Sequence, residues 1–146
     1  MPKGFTLIEI FIIIIIILLL FSLALPISLN FYKRQQFQTY SQQILQTLRK
    51  AQSKAMAVEG DSNFGVYLDN ANKKYILFKG DSYSSGDPEN EEFDFPVIIT
   101  VSGLSEVVFL KPEGRPSPST GSITINSDSL TQTIGINAVG RINSEL

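Results

Sequence analysis

The chain of 146 residues contains no cysteine and no histidine. Without cysteine there is no disulfide and no thiolate metal ligand, so the sequence gives no redox clue to compartment. Without either residue type, the common zinc sites and histidine-dependent catalytic triads are excluded. Positive charge is scarce where most of the chain lies. Residues 59–146 carry six Lys/Arg against thirteen Asp/Glu, a net of −7. Residues 1–58 carry six Lys/Arg against the single acid Glu9. An acidic body of this kind opposes general attraction to nucleic acid.

What the sequence does have is one long apolar run. Phe5 to Leu25 is interrupted only by Thr6, Glu9 and Ser22. About 20 apolar residues span a bilayer core as a helix. In lipid the backbone must satisfy its own hydrogen bonds, so even the isoleucine run Ile12 to Ile17 is expected to be helical. Each Ile or Leu contributes roughly −0.3 to −0.6 kcal/mol to insertion, against roughly 2.5–3.5 for a central acid. The run therefore outweighs Glu9. A cleaved signal peptide would want a basic start, a short apolar run and a small-x-small exit. Lys3 and Ser22-Leu23-Ala24 fit those parts, but neither that reading nor a plain anchor explains Glu9. Acids inside membranes are rare and usually have a partner.

The stretch Gly4-Phe5-Thr6-Leu7-Ile8-Glu9, behind the short leader Met1-Pro2-Lys3, resembles the signature of type IV pilins and pseudopilins. The resemblance implies cleavage by a prepilin peptidase between Gly4 and Phe5, N-methylation of Phe5, and retention of Glu9 for assembly. Pro26 falls where many members carry a helix-kinking proline. A carboxylate in a low dielectric seeks a positive partner, and the implied one is the Phe5 amino group of a neighbouring subunit. Lys33 and Arg34 follow the run on the outward side, against the positive-inside preference; the orientation rests on the resemblance.

Beyond Pro26, Phe37, Tyr40, Ile44, Leu48, Ala51, Ala55 and Val58 recur at helical spacing, with Gly60 suited to end the helix. From residue 63 the period changes. Phe64 to Asp69 and Lys73 to Phe78 predict a hairpin whose turn, Asp69 to Asn72, is explained by turn chemistry. Gly80 to Glu92 reads as a polar acidic loop. Four further strands are expected at Phe95–Val101, Glu106–Leu110, Gly121–Asn126 and Thr133–Ile136, with the proline-rich run Lys111 to Thr120 interrupting the sheet.

The predicted fold class is α+β: a long N-terminal helix, transmembrane in its first half and amphipathic in its second, packed on a small antiparallel head. The expected divisions are a leader (1–4), an assembly helix (5–29), an amphipathic helix (30–59) and the head (60–146). The run Val107 to Ile125 followed by Ile134 to Ile142 is similar to the GspH/FimT type of minor pilin-like proteins. These show a Pro-x-Gly-Arg turn, here Pro112 to Arg115, and a final strand ending in Gly-Arg-Ile, here Gly140 to Ile142. The chain lacks the cysteines of the disulfide-bounded loop of many proteobacterial major pilins.

The resemblance implies a structural subunit of a type IV pilus or type II secretion pseudopilus. It would be held in the inner membrane with the head outside the cytoplasm, and later sit in a periplasmic or surface filament. The implied partners are the peptidase, other subunits, the assembly platform and, before assembly, the lipid bilayer. The alternative is a membrane-anchored adhesin using the Gly80 to Glu92 loop.

Other chemistries find little support. Some FimT-like proteins take part in DNA uptake through Gly-Arg-x-Arg; here Gly140-Arg141-Ile142-Asn143 lacks the second arginine, and Arg141 is expected to pair with a nearby acid. Asp81, Asp87, Glu89, Glu91 and Glu92 offer hard oxygen ligands for calcium but match no EF-hand spacing. No carboxylate pair stands beside a nucleophile or base, so neither catalysis nor a cofactor is expected.

Overall fold

A computed structural model describes residues 4–145 except residue 129, with only the backbone described for residues 23–30. The residues fall into two compact units, one up to Gln36 and the other from Phe37. Helix α1, Leu7–Met56, contributes to both. The leader residues Met1 to Lys3 lie outside the described residues. The backbone stays helical through Pro26; the expected kink falls where side chains lie outside the description.

In the second unit the helix buries the face its spacing predicts. Phe37, Ile44, Leu48, Ala51 and Ala55 are all at or below 1% exposure, and Tyr40 is half-buried against the same core. Leu45 joins them. α1 stops at Met56, just short of the expected Val58. The backbone turns left-handed first at Val58 (φ 53°) and again at Gly60 (φ 58°), within a short 3-10 turn, Glu59–Asp61.

Two antiparallel sheets face the helix. The first, in order β3-β2-β1-β5-β6, is built from β1 (Phe64–Asp69), β2 (Lys74–Lys79), β3 (Glu91–Asp94), β5 (Glu106–Leu110) and β6 (Arg115–Ser117). The second, in order β4-β7-β8-β9, holds β4 (Thr100–Gly103), β7 (Gly121–Ser127), β8 (Leu130–Ile136) and β9 (Ile142–Glu145). The predicted hairpin forms with Val66 opposite Leu77. Its turn is capped by Asp69, whose carboxylate accepts from the Asn72 backbone N–H at 3.0 Å and its side-chain amide at 2.7 Å.

Alternation sends Phe64, Val66 and Leu68 into the helix-facing core with Tyr75, Leu77, Val107 and Phe109. The opposite face of the first sheet is buried too. Ile76, Phe78 and Val108 are at 2%, 1% and 4% exposure. Tyr83 covers them, stacked on Tyr67 at 4.3 Å and edge-on to Phe78 at 6.0 Å. Gly65 makes room, since a Cβ there would lie 2.4 Å from the Phe78 ring. The segment after β2, expected to be a loop and nothing more, thus carries an aromatic anchor.

The strand expected at Phe95–Val101 does not form. Pro96 has no N–H to give a ladder, and Ile99 N–H turns back to the Pro96 carbonyl at 2.9 Å. The residues on either side pair instead: β3 takes acids assigned above to the loop, and β4 begins at Thr100. β6, with Pro116, sits at a sheet edge, where a missing donor is tolerated.

Candidate assembly site

The first unit presents its chemistry at the start of α1. Gly4 and Phe5 precede the helix and are exposed, Phe5 at 74%. Thr6 stands immediately before Leu7 and Glu9 three residues after Thr6. The Thr6 N–H donates to Glu9 Oε2 and the Glu9 N–H donates to Thr6 Oγ1, both at 3.4 Å. This reciprocal arrangement is a capping box, long in both bonds; the Glu9 N–H also donates to the Thr6 carbonyl at 3.1 Å. The pattern Thr-x-x-Glu is present in the sequence as Thr6 to Glu9. Glu9 therefore has a partner within its own chain.

Beyond Glu9, the large apolar side chains from Ile10 to Phe21 are all exposed, between 41% and 64%. A contiguous apolar surface of that kind marks a membrane or protein contact. Among the described residues, no helix is long and apolar enough to cross a membrane. The described side chains of the run end at Ser22, and a crossing takes about 20 residues.

In the second unit the two glycine-arginine motifs meet. Gln52 Nε2, on α1, donates to the carbonyl of Gly114 at 3.0 Å and to that of Gly140 at 2.6 Å. Gly114 (φ 66°) and Gly140 (φ 83°) are both left-handed, and a Cβ on Gly140 would lie 2.5 Å from the Gly114 carbonyl oxygen. Glycine is needed there for conformation and for space. Nothing in the linear pattern singled out Gln52, because its partners lie far along the chain.

The arginines beside these glycines point to no shared site. Arg115 pairs with Glu113 at 2.7 Å. Contrary to expectation, Arg141 makes no ion pair among the described residues; its backbone N–H donates to Asn137 Oδ1 at 2.8 Å within a turn. Gly140-Arg141 forms that turn, and Ile142 opens β9 rather than ending a strand.

The acids considered for calcium are dispersed. Glu89 pairs with Lys79, Glu91 with Lys50 and Glu92 with Lys74, while Asp81 accepts from Asn63. Among the described residues no group of acids is placed to hold a metal ion. The lysines use the carboxylates to pin the segment against α1 and β2.

One groove of about 1060 Å³ opens between α1 and β3. Tyr40, Gln38, Gln42 and Gln46 line it from α1, and Phe93 and Asp94 from β3. At its floor Tyr75 stacks on Phe93 at 5.1 Å. Burial pushes the Tyr75 phenol upward, opposed by its hydrogen bond with Thr47.

No protein-family model matches the sequence, and no curated protein is similar enough to match it. Among solved structures, the chain is similar to the minor pseudopilin EpsH from the Type 2 Secretion System of Vibrio cholerae. The TM-score is 0.58 at 13% identity, covering 75% of this chain and 96% of that one. The fold is pseudopilin-like. At that identity the likeness is one of architecture, and what a pseudopilin-like chain does here must be argued from its own residues.

Proposed function

We propose that this chain is a structural, non-enzymatic subunit, of the minor pilin or pseudopilin kind, in a type IV pilus or type II secretion pseudopilus. The observation that carries the reading is the exposed apolar run of α1 headed by Glu9, directly behind Gly4 and Phe5. The pseudopilin-like fold supports it.

In this reading a prepilin peptidase cuts between Gly4 and Phe5, and Phe5 is N-methylated. The run then rests in the inner membrane with the head outside the cytoplasm. Extraction by an assembly platform requires the apolar side chains to exchange lipid for the helices of other subunits. Glu9 opposes that step unless its charge is matched, since a buried carboxylate without a partner is costly. The Phe5 ammonium of a neighbour is the match. Glu9 caps its own helix until then through Thr6. Pro26 would supply a bend where helices pack. The divisions 1–4, 5–29, 30–59 and 60–146 follow as leader, assembly helix, connecting helix and head.

The test is proteomic analysis of sheared periplasmic or surface filaments. The chain is expected in the filament fraction and is expected to leave it when the prepilin peptidase is absent. A chain that stays in the membrane fraction in both cases contradicts the proposal.

A further inference from the structure

We propose that the groove between α1 and β3 receives the Phe31 to Arg34 stretch of a second copy of this chain, with the neighbour's Arg34 guanidinium on Asp94. The inference rests on the filament reading above and names one contact within it.

The groove is chemically specific. Its wall is a ladder of side-chain amides from Gln38, Gln42 and Gln46, its floor is aromatic, and its rim carries carboxylates. Two of the three acids of β3 are already matched, Glu91 by Lys50 at 2.6 Å and Glu92 by Lys74 at 2.8 Å. Asp94 is exposed and makes no ion pair among the described residues; it lies opposite Lys74 in the β2–β3 register and shares that lysine with Glu92, so three carboxylates meet two lysines at this rim. The occupant should therefore bring an aromatic surface and one cation that leaves no charge unmatched.

The chain itself presents such a segment. Phe31 is 69% and Tyr32 59% exposed, and both precede Arg34, which is exposed and makes no ion pair among the described residues. Phe31 and Arg34, three residues apart, share one helix face. An arginine can pair with Asp94 and lay its plane on an aromatic ring at once.

The two surfaces are different patches of the same chain. Pairing them is heterologous, and a heterologous contact whose rotation does not close repeats indefinitely, as a fibre requires. The inference requires at least two copies side by side in the filament.

The test uses the full chain in cells that assemble filaments. Arg34→Glu and Asp94→Lys, both surface changes, are each expected to lower its yield in sheared filaments at least about tenfold, because like charges then face each other across the contact. The two changes together are expected to restore it. As a second measurement, copies carrying Arg34→Cys and Asp94→Cys are produced together and treated with a short thiol cross-linker. The cysteine-free sequence gives no background, so a dimer is expected only when both copies are present. Normal filament yield from each reversal, a double variant as poor as the singles, or monomer alone after cross-linking overturns the inference and leaves the subunit reading standing. Absence of the unmodified chain from filaments overturns both.

Discussion

Along α1, Ile12 to Ile17 are each between 41% and 51% exposed, whereas Ile44 and Leu48 on the same helix are fully buried. The residue types are alike; the surroundings are not. From Phe37 onward the apolar positions occupy one face, and two sheets cover it. From Ile10 to Phe21 apolar residues occupy the whole circumference. A helix apolar all round is completed by lipid or by other helices. The second part of the helix is buried in a domain; the apolar side chains of the first part are exposed.

That contrast can be broken from either end. The largest effect is expected at Glu9. Glu9→Ala and Glu9→Gln should both remove the chain from sheared filaments, while the thermal melt of the head stays unchanged. Glutamine can still reach back to cap the helix, so a defect shared by both variants assigns the assembly role to charge. Filaments from Glu9→Gln at normal yield would assign it to the cap.

At the other end, Leu48→Ala should destabilise the head by about 2–5 kcal/mol, read by denaturant unfolding. Cleavage after Gly4 should be unaffected. Gln52→Ala should cost about 1–3 kcal/mol, because it leaves two glycine carbonyls without their donor. Gln52→Glu should not rescue it, since a carboxylate cannot donate. The smallest effect is stabilising. Ser41 is fully buried, and its hydroxyl has no hydrogen-bond partner among the described residues. Ser41→Ala should raise stability by about 1 kcal/mol.

Local chemistry made much of this architecture legible in the sequence. The hairpin of β1 and β2 was readable from period-two alternation and Asp69, and the buried face of α1 from the spacing of Phe37, Ile44, Leu48, Ala51 and Ala55. Misreadings occurred where a long-range pairing decided the outcome. Glu91 and Glu92, read as the end of the Gly80 to Glu92 loop, instead open β3, because β2 supplies a ladder and lysines match these acids. Phe95 to Val101 read as strand by composition; Pro96 keeps Phe95 to Ile99 out of a ladder, and only Thr100 and Val101 enter a strand, β4. Gln52 and Tyr83 gave no local signal, because each acts on residues brought near only by the fold. Glu9 stands out by its setting, and the Thr6-x-x-Glu9 spacing that pairs it within its own chain is equally local.

The most direct test of the central claim is the intact mass of this chain recovered from sheared filaments. The account predicts a polypeptide that begins at Phe5 and is one methyl group heavier than the bare sequence from that residue. A filament-borne chain that keeps Met1 to Gly4, or one that begins after Ala24, would contradict it.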